Sequence, residues 1–257
     1  MFAIERIKII KDYLTKDKHV SVAQLSSLLN VTEVTIRRDL EKLENEGFLK
    51  RAHGGAVLNA DLDEPLAFES TDDERALQMM EISDTIFHLV SDNDIIMLTD
   101  GPTNLKAARK LTHKKNLTVL TNDLRIALEF SASPSNKLIL LGGDLSECAV
   151  YGQLAINNMQ NFSLSHLIVE VEGISKKTGI TVSSISKASL IQQACKMAQT
   201  VSVVCLADHF GAKSFYRVGE LDIADKIITN STLDDSYKDY VFDLNIQLYT
   251  SVNIYEE

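Results

Sequence analysis

On a helix built at 100° per residue, Val34, Thr35, Arg38 and Lys42 fall on one side and Ile36, Leu40 and Leu43 on the other. The second set is an apolar stripe that packs inward. The first set is an odd mixture for a face that meets only water, because Val34 stands outward beside Thr35 and Arg38. It suits the major groove of duplex DNA, where valine methyls can meet a thymine methyl and Arg38 can grip a guanine edge through two hydrogen bonds. Arg37, on the flank near Glu44, and Lys42 would reach phosphates. Taken alone, the same residues also describe an ordinary charged helix face. Residues 48–57 add a short strand, a Gly-Gly turn and a second strand, the pattern of a β-hairpin. Lys50, Arg51 and His53, with Gly54 at the turn, put positive charge and donors on that hairpin. A basic hairpin after two closely spaced helices acts as a wing along the flanking backbone or minor groove.

A second group of residues suggests a different chemistry. Three loops lie where apolar strands end: 99–104, containing Asp100, Gly101, Thr103 and Asn104; 121–123, containing Thr121 and Asn122; and 141–144, containing Gly142 and Gly143. Each has small or hydroxyl-bearing residues at an expected turn or helix start, where free backbone N–H groups can hold an anion. One such loop alone is equally well a plain helix cap.

The elements that must carry these residues follow from apolar periodicity. Residues 2–15 read as an amphipathic helix. Residues 22–29 form a second helix, with Ser21 as its cap and Asn30 as its left-handed stop. A third helix is capped by Thr32 and stopped by Gly47. Both capping hydroxyls belong to the expected DNA-facing set. Residues 59–70 are polar and acidic, contain Pro65 and read as a linker, and 71–90 read as a helix. Strands are then expected at 95–98, 117–120, 137–141, 167–171, 201–207 and 226–229, with helices at 105–111, 124–130 and 187–199. This alternation of near-continuous apolar strands with helices predicts a mostly parallel, helix-covered sheet. The fold class is α/β, with residues 1–58 as a winged helix-turn-helix, 59–74 as linker and 75–257 as a larger α/β domain for effector sensing and oligomerisation.

Composition bounds the rest. The net charge of −10 is unevenly spread: residues 1–60 hold ten Lys and Arg against eight Asp and Glu, and the remainder sixteen against twenty-eight. A weakly basic head on an acidic body suits a DNA reader whose bulk stays off the duplex. No run of about 18 apolar residues is present, and residues 1–14 carry charges throughout, unlike a secretory signal. The expected setting is cytoplasmic. Cys148, Cys195 and Cys205 lack metal-ligand spacing and sit among apolar residues, so they read as buried reduced thiols. No catalytic residue, metal site or cofactor is expected.

The run of residues 31–40 (VTEVTIRRDL), followed by Leu43-Glu44, Gly47, Leu49, Arg51 and the His53-Gly54-Gly55-Ala56 turn, closely resembles the DeoR-type winged helix-turn-helix. Further landmarks resemble the DeoR-type sensor domain: TVLTND at 118–123, LLGGDL at 140–145, EGI at 172–174, LADH at 206–209 and KIITN at 226–230. The resemblance implies a bacterial regulator, mostly of the repressor kind, of a sugar or nucleoside catabolism operon. It implies double-stranded operator DNA as partner, a homodimer or homotetramer, a sensor fold related to ribose-5-phosphate isomerase, and a small effector such as a sugar phosphate that releases the operator. By the same resemblance Glu170, Asp208 and Lys213 join the three loops in the candidate effector site, and four departures bear on that effector. Glu170 stands where the family carries a small residue, Pro102 replaces a hydroxyl residue, and Lys187 stands where an acid is common. The Ser-Lys pair expected soon after Asp208 is absent, with Lys213 as the only nearby lysine. A carboxylate in the site and a missing lysine both oppose phosphate. Two other readings remain open: an isomerase-like enzyme using Asp100, Asp208 and Glu170, and a regulator that answers to a partner protein instead of a small molecule.

Overall fold

The computed structural model describes residues 6, 7, 9–11, 13, 14, 19–45, 49–52, 55–58 and 73–250. The chain divides into two compact units, residues 1–68 and 69–257.

In the first unit the described residues between 6 and 14 are helical. They are followed by β1 (His19–Ser21), α1 (Val22–Leu29), α2 (Glu33–Asn45), β2 (Leu49–Ala52) and β3 (Gly55–Leu58). Ser21 caps α1 through a reciprocal pair: its hydroxyl accepts the Gln24 N–H, and the Gln24 side chain accepts the Ser21 N–H. Asn30 closes α1 in the left-handed conformation, φ 50°. Ile10, Leu14, Leu25, Leu29, Ile36, Leu40 and Leu43 form one core with Val20, Leu49 and Ala56. Full burial of each large aliphatic side chain contributes about 1.5–3 kcal/mol. The hairpin of β2 and β3 is joined by β1 in an antiparallel sheet of order β1-β3-β2. Sequence patterning missed β1, because three residues are too few for alternation to show. Gly55 permits the pairing, since a Cβ there would lie 2.2 Å from the Val20 carbonyl oxygen.

The second unit opens with α3 (Asp73–Leu89) and β4 (Ile95–Leu98), followed by α4 (Pro102–Leu111), β5 (Thr118–Thr121), α5 (Leu124–Ser131) and β6 (Lys137–Leu140). A hairpin of β7 (Asp144–Ser146) and β8 (Ala149–Tyr151) leads to α6 (Gln153–Met159) and β9 (Leu164–Glu170). Then come β10 (Gly173–Ser175), β11 (Gly179–Val182), α7 (Ile185–Cys195), β12 (Ala198–Val204), β13 (Tyr216–Gly219), β14 (Lys226–Ile228), α8 (Asp235–Asp243) and β15 (Gln247–Tyr249). Seven strands make one wholly parallel sheet of order β15-β14-β12-β9-β4-β5-β6. One face is covered by apolar residues of α3, α4 and α5, the other by those of α6, α7 and α8. The chain runs outward from β4 to β5 and β6, then returns to lay β9 on the other side of β4. The strand order therefore reverses between β4 and β9, and a crevice at such a reversal is where doubly wound sheets bind ligands.

Several expectations are corrected. The helix expected at 105–111 begins three residues earlier, because Pro102 needs no backbone partner in a first turn. The helix expected at 187–199 ends at Cys195, and Ala198 and Gln199 begin β12. The strand expected through 207 ends at Val204, and Ala207–His209 is a short 3-10 turn. One further strand, β15, which apolar patterning did not pick out, pairs outside β14. Cys205 is buried, whereas Cys148 and Cys195 are only partly so. Burial pushes the Cys195 thiol up to about 11 and the Cys205 thiol up as well, so neither is a ready thiolate. The expected linker, His53 and Gly54 lie outside the described residues.

Candidate nucleic-acid interface and ligand site

The two faces of α2 separate as its periodicity predicts. Ile36, Leu40 and Leu43 are at most 1% exposed, while Val34 is 63% exposed and Arg37, Arg38 and Lys42 are also exposed. Thr32 starts the helix: its carbonyl accepts the Ile36 N–H at 3.2 Å, and its hydroxyl lies 3.0 Å from that of Thr35. The Ser21 hydroxyl is engaged with Gln24, so its local role is the cap. Arg37 reaches back one turn to Glu33 at 3.2 Å in an exposed pair, which is worth only about 0.3–0.5 kcal/mol and leaves the guanidinium available to another anion. Lys50 and Arg51 lie on β2 of the wing.

Sequence reasoning missed what holds this helix. Asp39 points inward, and its two carboxylate oxygens accept from Arg6 Nε at 2.5 Å and Nη2 at 3.1 Å. Both side chains are about one-tenth exposed. The hydrogen bond to Asp39 raises the Arg6 pKa against the opposing effect of burial. A two-point bond of this kind sets both the position and the rotation of a helix, so Asp39 orients its neighbours Arg37 and Arg38. Its signal was its place: an acid on the i+3 edge of the apolar stripe.

The second constellation sits at the reversal between β4 and β9. Thr99, Asp100 and Gly101 follow β4, and Glu170 ends β9. The Thr99 N–H donates to the Ile168 carbonyl at 3.1 Å, and the Glu170 N–H donates to Thr99 Oγ1 at 3.0 Å. Asn104 is fully buried and donates to the carbonyls of Thr99 and Ile168 at 2.9 and 3.1 Å, tying the two strand ends to α4. Asn122, just past β5, accepts the Asp100 N–H at 3.0 Å and donates to the Asp100 carboxylate at 2.9 Å. The Thr121 hydroxyl donates to the Leu98 carbonyl at 2.9 Å. Asp100, Gly101, Thr103, Asn104, Thr121, Asn122 and Glu170 are thus brought together from three parts of the chain.

Lys187 belongs to this cluster although its sequence context did not place it there. Its Nζ lies 3.0 Å from Asp100 Oδ2, 3.6 Å from Glu172 Oε1 and 3.3 Å from the Asp100 carbonyl. Burial opposes the charged form of both partners. For Asp100, Lys187 and Asn122 outweigh burial and hold the carboxyl below its ordinary value. For Lys187, Asp100, Glu170 and Glu172 outweigh it and hold the ammonium above its ordinary value. The Tyr151 hydroxyl also hydrogen-bonds to Asp100, and burial together with that carboxylate raises the phenol's pKa. Glu172 in turn accepts from Ser183 at 3.0 Å and Ser214 at 3.3 Å.

The remaining candidates take no part in these hydrogen bonds. Gly142 and Gly143 follow the edge strand β6 and are exposed, with Gly143 packed against the Tyr151 carbonyl. Asp208 is more than half exposed and pairs with Arg75 of α3 at 3.6 Å; its charge, like that of Glu170, helps raise the pKa of Cys205. Lys213 is exposed. Arg75 captures Asp208 across 133 positions, a contact no local pattern could signal. Among the described residues no cluster of His, Cys, Asp and Glu could hold a metal ion, and no helix is long and apolar enough to cross a membrane.

Comparison with known proteins bears on both constellations. Residues 6–61 match the DeoR-like helix-turn-helix domain and residues 75–231 match the DeoR C terminal sensor domain. The chain is 30% identical to the HTH-type transcriptional repressor GlcR of Bacillus subtilis (strain 168), over 93% of each chain. It is 30% identical to the HTH-type transcriptional regulator GolR of Listeria innocua serovar 6a, over 93% of this chain and 96% of that one. Among solved structures, a ribose 5-phosphate isomerase from Methanocaldococcus jannaschii aligns at a TM-score of 0.39 and 9% identity, over 51% of this chain and 53% of that one. The curated relatives are transcriptional regulators, not enzymes. With both domains matched in order and a full-length relative at 30% identity, the chain belongs to the DeoR family of DNA-binding transcriptional regulators.

Proposed function

We propose that this protein is a cytoplasmic repressor of a carbohydrate-catabolism operon, released from its operator by a small sugar-like effector. The observation that carries the DNA-binding part is the split face of α2, with Val34, Arg38 and Lys42 outward over a buried Ile36, Leu40 and Leu43. Arg38 and Val34 read base edges, and Arg37, Lys42 and the wing residues Lys50, Arg51 and His53 hold phosphates. The carbohydrate setting is supported by relatives such as the putative aga operon transcriptional repressor of Escherichia coli O157:H7. The effector enters at the β4–β9 reversal, where Asp100, Asn122, Tyr151 and Lys187 present polar groups. The protein works as a homodimer or homotetramer, because one winged module covers too little DNA to select a site in a genome; light scattering that gives a monomer with and without DNA overturns this. Mapping the genomic DNA bound by the protein tests the whole reading. Enrichment beside a sugar-utilisation operon is expected, and binding without any sequence preference rejects it.

A further inference from the structure

The N-terminus of α4 opens onto the β4–β9 reversal. A helix start carries unpaired N–H groups and partial positive charge, a combination suited to an anion. In this chain that position is filled from within. Glu170 Oε1 accepts the Thr103 N–H at 3.2 Å and Oε2 accepts the Asn104 N–H at 2.8 Å. Gly101 makes room for it, since a Cβ there would lie 2.2 Å from Oε2 and 2.4 Å from Cδ. The Glu170 backbone is pinned by Thr99 from the same loop. Next to it stand Asp100 and Glu172, with Lys187 paired to both. Burial raises the Glu170 carboxyl above its ordinary value against the pull of the Asn104 and Thr103 N–H groups and Lys187, and the cluster sets three carboxyl groups against one ammonium. An incoming dianion would have to displace Glu170 and then face the other two carboxylates.

We propose that the Glu170 carboxyl group is a resident occupant of the N-terminus of α4 and closes it to phosphate, so that a ligand entering the β4–β9 reversal binds with no anionic group at that position. This rests on the effector site proposed above and assigns Glu170 the role of setting its ligand class. Phosphorylated sugars are excluded, and hydroxyl-rich neutral compounds are accepted.

The test uses the full chain and its Glu170→Gly variant, with inorganic phosphate, formate and glucose 6-phosphate as probes. In thermal melts, phosphate and formate are expected to stabilise the variant and leave the parent unmoved, because each can refill the vacated carboxylate position. By calorimetry the variant should bind phosphate at least tenfold more tightly than the parent. A parent that binds phosphate or glucose 6-phosphate as tightly as the variant overturns the proposal, as does a folded variant that responds to none of the three. Should Glu170→Gly not fold, Glu170→Gln decides. An amide turns an NH2 group toward one of the two N–H donors, so its melting temperature should fall by several degrees; a melt equal to the parent's overturns the carboxylate's role. Operator release is scored separately. If no sugar releases parent or variant from DNA while Glu170→Gly still gains phosphate, the effector site fails and the assignment of Glu170 stands.

Discussion

Arg6 and Asp39 form a buried two-point ion pair, 2.5 and 3.1 Å, between the first helical segment and the helix that carries Arg37 and Arg38. Removing one partner of a buried pair takes from the other charge its two-point counter-ion, which costs more than the pair contributes. Asp39→Ala should therefore destabilise the first unit by about 3 kcal/mol and weaken operator binding beyond that loss. The double variant Arg6→Met, Asp39→Leu should recover much of the stability. Chemical unfolding of the single and double variants measures both, and strictly additive losses would show that the two residues do not act as a pair.

Arg38 and Arg37 should fail differently. Arg38→Ala is expected to cost about 1–3 kcal/mol on the operator and to relax preference at one base position. Arg37→Ala should weaken all sequences alike and make the salt slope shallower by about one. Titrations on operator and random duplexes at several salt concentrations separate the two, and equal losses on both duplexes for Arg38→Ala reject its base contact.

The Lys187–Asp100 pair should be mutually dependent. Both side chains are about one-tenth exposed, so Lys187→Met strands a carboxylate that is held ionised below its ordinary range. A loss of about 3 kcal/mol is expected, and Asp100→Asn in the same chain should restore part of it. The sign with pH follows from the two shifts. Asp100, lowered, contributes stability that is present above the ordinary carboxylate range and lost as pH falls through its folded value. Lys187, raised, contributes stability that is present below its ordinary value and lost as pH rises through its folded value. A Lys187→Met variant whose melting temperature matches the parent's at neutral pH would contradict the pairing.

His166 should make the second unit acid-sensitive. Its ring lies between β9 and β12, 2.6 Å from the Ser202 hydroxyl, and is 5% exposed. Burial, with a smaller contribution from Lys226, pushes it down to about 4 against the opposing pull of Asp94 and Asp225. Between its ordinary value and about 4 the unfolded chain binds the extra proton, so stability falls with pH across that window, by about 3 kcal/mol in all. His166→Gln should flatten that slope while keeping a partner for Ser202. Melting curves taken from pH 7 to 4 check it, and an unchanged slope in the variant assigns the acid sensitivity elsewhere.

The sequence alone was enough for whatever depends on neighbours within a few positions. The α1 boundaries, the Ser21 cap, the left-handed Asn30 and the two faces of α2 all follow from spacing and capping chemistry. The alternation of apolar strands and helices likewise implied a parallel sheet, because only buried strands can be apolar on both faces. Strand order, and with it the place of the reversal, was not legible. It depends on β9 returning to β4 across more than sixty residues, and the energy of that pairing leaves no local trace. The ligand site shows the same limit. Glu170 stood out in sequence as a carboxylate where a small residue was expected, but its bond to the α4 N-terminus joins positions 66 and 67 apart. Lys187 meets Asp100 across 87 positions, and Asp208 meets Arg75 of α3 across 133. Charges and hydrogen bonds act through space over a few ångströms, so their partners are chosen only once the sheet has set which loops meet.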